Sequence, residues 1–343
     1  KEEVVVPKKE LVIKEEESGG KRSVQVSDGV LEGKFKELKQ GSWKGLYTGG
    51  KLKVIDFIEG NKAMLEKLNM TESAINVMRA VAENEGNLEA INAYDGAFLS
   101  FGIFQWTLGT GTNKGELPAL LKKLKTNFPA TFEKHFGQFG LDIDASTNTT
   151  YGYITLDGAK VESKSQKQQF RSAEWVYRFW RAGHDKEVQA TQIEHALSRL
   201  KNFYWRWKVQ GVPLNELMTS EYAVGLILDN HVNLPYLVKL ALQQAMEKTG
   251  LGHPSSWSGT EEADLIEAYI KERAVSQSYT RKGQTKSLPP MHSANKRAAT
   301  TRKYVDKGII SDARGSFQYS DVISRSADVF VVEAPSDFFQ EDY

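Results

Sequence analysis

The chain has no cysteine. Disulfides and thiolate metal sites are therefore excluded, and the redox compartment leaves no mark on the composition. Histidine is scarce, with 6 scattered residues and no His-Glu-x-x-His spacing, so no metal and no other cofactor is expected. Lysine plus arginine (45) nearly balances aspartate plus glutamate (44), and a net charge of +1 argues against a nucleic-acid partner. No run of about twenty apolar residues occurs, so no membrane span is expected. A serine hydrolase would need a Gly-x-Ser-x-Gly elbow, which is absent. The glycine-rich stretch 107–113 lacks the Gly-Lys-Ser/Thr ending of a phosphate loop and reads as a mobile loop. No internal repeat is evident. What is present is an apolar share of 40% over 343 residues, enough for one large domain or two ordinary ones.

One stretch carries the chemistry: Glu83-Asn84-Glu85-Gly86, then Tyr94-Asp95, then Ser100-Phe101-Gly102-Ile103-Phe104-Gln105-Trp106. Asn69 with Glu72, or Thr71 alone, supplies a helix N-cap. Ala74, Ile75, Met78, Val81 and Ala82 then fall at three- and four-residue steps, and Glu85 extends that apolar stripe. Gly86 suits a left-handed stop after the last turn. A carboxylate on the buried face of a helix end is costly to ionise, so its pKa should rise, as a general acid requires. Glu83 falls on the side of Arg79 and reads as a solvated charge. For Glu85 the plain alternative is a glutamate that meets water or an arginine. Asp95 follows ten residues later, and two carboxyls on adjacent elements suit the two sides of a glycosidic bond. Ser100 and Gln105 add neutral polar groups. Tyr94, Phe101, Phe104 and Trp106 offer flat faces for sugar rings, with core packing as the alternative.

Glu85-Gly86 followed by Ser100-Phe101-Gly102-Ile103-Phe104-Gln105 resembles the lysozyme-like superfamily. Goose-type lysozymes and lytic transglycosylases follow a helix-ending Glu with Ser-x-Gly-(Leu/Ile)-x-Gln. Phage-type lysozymes carry Glu-Gly, then Asp, then a hydroxyl residue before Gly. The resemblance covers residues 71–110. It implies Glu85 as general acid and Asp95 as the second carboxylate, with Ser100 holding a water. Gln105 would line the cleft, and Tyr94 and Trp106 are candidate substrate-binding aromatics. The Tyr-Asn-Ala-Gly segment of transglycosylases is absent; Asp229-Asn230-His231-Val232-Asn233 occupies a comparable place at the end of a buried helix and reads as ordinary capping or, in the alternative, as a polar lining of the cleft.

Residues 1–24 read as a charged tether with room for a short edge strand. Residues 23–59 alternate briefly between glycines and read as a small β element or an irregular lobe beside the cleft, with Gly49-Gly50 as a tight turn. A helix starts at Glu116, with Leu117, Leu120, Leu121 and Leu124 inward and Lys122, Lys123 and Lys125 outward. Asp157-Gly158 marks a hairpin within residues 149–162. Residues 168–209 read as aromatic-rich helix broken at Gly183-His184-Asp185, with His195 at the surface. Residues 215–228 read as the central buried helix. Two more helices follow, at about residues 234–248 and 260–274, the second capped by Ser258 with Glu261. Residues 276–320 form a basic extension, 329–332 a short strand, and 321–343 an acidic tail.

The expected fold is α+β, mostly α: a lysozyme-like two-lobed domain over residues 25–275, with a small β hairpin and an active-site cleft. The expected function is a muramidase-like glycosidase acting on peptidoglycan or a related amino-sugar polymer. That substrate favours a periplasmic, extracellular or particle-associated setting. A lytic transglycosylase or chitosanase-like enzyme is a subsidiary reading. The competing class is a non-enzymatic wall-binding or assembly module, with the termini joining a larger particle.

Overall fold

The computed structural model describes residues 10–319 except residue 282. Helices dominate, interrupted by small antiparallel sheets, so the α+β class holds. The chain divides into two units, Lys1–Phe57 with Gly86–His195, and Ile58–Glu85 with Ala196–Tyr343. The division falls inside the stretch 25–275 that the sequence presents as one domain. No helix among the described residues is long and apolar enough to cross a membrane.

The first unit is built on a seven-stranded antiparallel meander. Its strands are β1 (Val12–Ser18), β2 (Lys21–Ser27), β3 (Glu32–Gln40), β4 (Trp43–Thr48), β5 (Ile91–Asn92), β6 (Ser100–Phe101) and β7 (Trp106–Thr107). Residues 12–27 thus form a hairpin whose first strand is the edge strand for which the tether left room, longer than a short addition to a tether. The reason is local: β1 is an exposed edge strand whose charges mask its strand character, while β2 buries Val24 and Val26. Arg22 ties the pair by a 2.7 Å bond to Glu15.

Gly45 in β4 is required by a close approach. A Cβ there would stand 2.0 Å from the carbonyl oxygen of Ala93, so the turn that carries Asp95 can lie against β4 only over a glycine. The helix Ala173–Ala182, capped by Ser172, packs on the sheet through Phe179, whose ring is 5.6 Å from that of Phe101. Trp175, Tyr177 and Phe179 are buried and pack the core.

The helix Leu117–Asn127 buries its four leucines as the spacing predicts. Its lysines are paired rather than free: Lys122 with the Thr147 carbonyl (2.6 Å), Lys123 with Glu194 (3.1 Å), Lys125 with Asp142 (2.5 Å). The Asp157-Gly158 hairpin joins Ile154–Leu156 to Ala159–Lys160, both turn residues having positive φ. The 107–113 loop is tied down where a mobile loop was expected. Buried Lys167 donates to the carbonyls of Gly109 (3.1 Å) and Asn113 (2.5 Å).

In the second unit the helix Glu221–Asn233 is central and buried along nearly its whole length. The helices Glu72–Ala82 and Ala294–Asp306 pack on it, as does Pro235–Thr249, with Glu261–Glu272 alongside the last of these. The basic segment is structured: a hairpin of Gln277–Arg281 with Gln284–Leu288, then the helix Ala294–Asp306. Residues 54–58, read as part of a β element, instead open the helix Val54–Lys67, and Gly49-Gly50 is not a hairpin turn. Val54, Phe57, Ile58 and Leu65 are buried at helical spacing, and that burial overrides the β preference of Val54 and Ile55. The strand at 329–332 and the acidic tail lie outside the described residues.

Candidate functional site

Thr71 is the N-cap of the helix Glu72–Ala82, its hydroxyl accepting the Ala74 N–H at 3.1 Å. Ala74, Ile75, Met78, Val81 and Ala82 are all buried, as the stripe predicts. The regular helix ends at Ala82, not at Glu85. Glu85 follows in one further turn, its N–H on the Ala82 carbonyl at 3.1 Å. Gly86 is not left-handed; its N–H donates to the Ile103 carbonyl (3.0 Å), and a Cβ would come within 3.2 Å of that same oxygen. Close approach, not helix termination, explains this glycine. Glu83 is exposed and accepts a hydrogen bond from the Tyr304 hydroxyl. Arg79 does not join it but pairs with Glu59.

The Glu85 side chain retains only 10% of its exposure and sits in a charged cluster drawn from three helices of the second unit. Arg297 donates from Nη2 to Glu85 Oε1. Asn233 adds a 3.2 Å bond from Nδ2 to the same oxygen. The Arg297 guanidinium is divided: it also gives Asp229 two bonds, of 2.6 and 2.9 Å, and donates to the Asn84 carbonyl at 2.9 Å. Asp229 is fully buried and takes a second arginine, Arg273, at 3.3 Å. Arg273 in turn caps the carbonyls of Leu226 (3.1 Å) and Ala294 (3.0 Å).

This arrangement sets the acidity of Glu85. Burial pushes its carboxyl up, and the neighbouring Asp229 carboxylate pushes the same way. Arg297 and Asn233 pull it down, but Arg297 is already largely engaged by Asp229. The balance places the group at about 7. A carboxyl of that acidity beside a fixed guanidinium can release a proton near neutral pH and leave a stabilised anion.

Arg297 is not among the site residues expected from the sequence, and Asp229 and Asn233 fall in the 229–233 polar run noted there. Asp229 and Asn233 stand at the C-terminal end of the helix Glu221–Asn233, where Asn233 Nδ2 donates to the Asp229 carbonyl at 2.9 Å as a cap does, while the Asp229 carboxylate also meets Arg297 and the Asn233 amide also meets Glu85. For Arg297 the only signal was a local excess of positive charge.

The other expected site residues belong to the first unit. Asp95 lies in the turn between β5 and β6, its carboxylate accepting Asn92 Nδ2 (2.7 Å) and the Ala97 N–H (2.9 Å). Arg171 fixes this turn from behind by donating to the carbonyls of Ala93 and Asp95. Ser100 is buried in β6, opposite Asn92 on one side and Thr107 on the other. Gln105 has φ +51 and turns its amide back to the Gly102 carbonyl at 2.8 Å. Tyr94 stands edge-on to Tyr47. Trp106 is a core residue, 1% exposed, packed on Phe104 and His195, so no face of its ring is open to a sugar. His195 is likewise buried rather than at the surface.

Among the described residues no group of three or more histidines, aspartates and glutamates is arranged to hold a metal ion. No family model, curated protein or solved structure matches the chain.

Proposed function

We propose that the chain is a glycoside hydrolase of lysozyme-like fold that cleaves peptidoglycan glycan strands, with Glu85 as its general acid. One observation carries the reading: a nearly buried carboxyl at a helix end, held at about 7 between Arg297 and Asp229. In the protonated form Glu85 gives its proton to the leaving glycosidic oxygen. The carboxylate left behind is stabilised where it forms, by Arg297 and Asn233. By the resemblance alone, Asp95 would be the second carboxylate, activating water or opposing the positive charge at the anomeric carbon. Asn92 and the Ala97 amide hold it in one orientation for that task.

A second reading has its own support. The Arg297–Glu85 ion pair is what a purely structural glutamate would make. It favours a non-enzymatic wall-binding module on the same fold.

Mass spectrometry of purified peptidoglycan after incubation with the chain separates these readings. Reducing muropeptides are the expected products. Anhydro ends would identify a transglycosylase and remove Asp95 from the required set. Absence of products, with the chain pelleting with the wall, would establish the binding module.

A further inference from the structure

Trp43 is the aromatic side chain among the described residues that is most open to solvent, 36% exposed, in a fold that buries most of its other large rings. It opens β4 and stands against the turn that carries Asp95. Gly96 lies alongside it, with a Cβ position 3.6 Å from the indole nitrogen. The indole is braced on the protein side. Phe98 meets it edge-on at 5.6 Å, and the Arg171 guanidinium lies over the ring at 5.0 Å. Arg171 is itself immobilised by the carbonyls of Lys44 (3.3 Å), Ala93 and Asp95, and by Gln168 (3.1 Å). The ring is thus rigid, while its Nε1–H has no acceptor among the described residues. Arg171 and Lys44 also line a cavity of about 370 Å³ whose walls include Glu37, Gln168 and Glu174.

An exposed aromatic surface braced from behind, with an unused donor and beside the turn that carries Asp95, has the chemistry that recognises a pyranose. The apolar face of the sugar stacks on the ring, and the hydroxyls reach the polar groups around it. We infer that Trp43 is a sugar-stacking residue, and that with the Asn92–Asp95 turn it forms a binding subsite for an amino-sugar polymer. This inference rests on the proposed glycosidase reading and adds to it a binding residue outside the 71–110 motif.

The test uses the full chain carrying Glu85→Gln, so that ligand is bound and not consumed, and a β-1,4-linked N-acetylglucosamine tetramer as probe. The Trp43 indole N–H resonance, assigned by its loss in Trp43→Phe, should shift on titration. Trp43→Ala should bind about tenfold more weakly, as loss of one aromatic stacking contact predicts, with Trp43→Phe in between. Binding with no shift at Trp43 and unchanged affinity in Trp43→Ala would overturn the inference alone. Absence of any binding, together with absence of peptidoglycan products from the native chain, would overturn the inference and the glycosidase reading together.

Discussion

Glu85→Gln is expected to lower glycan cleavage by about two to four orders of magnitude, the usual loss when a positioned general acid is removed. The substitution keeps the shape of the side chain and can still accept from Asn233, while Arg297 keeps Asp229 and the Asn84 carbonyl. The loss should therefore appear in the rate and not in the folding. The pH profile gives a second signature. The acid works protonated, so the native rate should fall as pH rises through about 7, where burial and Asp229 have placed the Glu85 carboxyl. The glutamine variant has no proton to lose there, and its residual rate should show no such limb. Initial rates on peptidoglycan across pH check both points; a variant within about tenfold of native would remove Glu85 from the mechanism.

Asp229→Ala has the largest expected effect on stability. Asp229 is fully buried and is the shared counter-ion of two arginines, one of them, Arg273, fully buried as well. Removing it leaves a buried guanidinium with only carbonyl partners, and breaking one side of a buried pair costs about 3–5 kcal/mol. Urea unfolding should show that loss as a lower midpoint with an unchanged slope. The same variant should acidify Glu85. With Asp229 gone, a like charge that raised the carboxyl is removed and Arg297 is left to Glu85, so the limb near 7 should move to lower pH. A destabilisation below about 1 kcal/mol would mean that the two arginines find water or other partners.

Linkage adds a consequence for the native chain. The folded-state pKa of Glu85 lies above its ordinary 4.5, so the stability the protonated group contributes is complete below 4.5 and is lost as pH rises through about 7. The tuning that suits an acid catalyst thus works against the fold at alkaline pH.

The local half of the Glu85 site is legible in the sequence. The three- and four-residue spacing from Ala74 to Ala82 defines a buried face, and continuing it to Glu85 predicts a desolvated carboxyl. The other half is not legible. Arg297 lies in a segment with few acids, where lysines and arginines all read as solvated, and nothing local says which cation turns inward. Only the packing of the Ala294–Asp306 helix against Glu221–Asn233 makes that choice. The same limit explains the errors in the fold. Residues 12–18 form a strand without hydrophobic alternation, because both faces are exposed. Residues 54–58 have β-branched side chains in a helix whose buried face decides the matter. Trp106 reads from the sequence as a candidate sugar-binding ring, whereas Trp43 carries no such signal. The tryptophan inside the motif is core, and the one at a hairpin end is open.

The most direct test of the account is a carbon-13 NMR titration of the Glu85 carboxyl in the full chain, assigned by comparison with Glu85→Gln. It needs no substrate and reads the group on which the proposal rests. The expected midpoint is close to 7, rising further when Arg297 is replaced by methionine, because the cation that opposes burial is then gone. A midpoint at the ordinary 4.5 would show a carboxylate fully neutralised by Arg297, and would contradict the assignment of Glu85 as a proton donor.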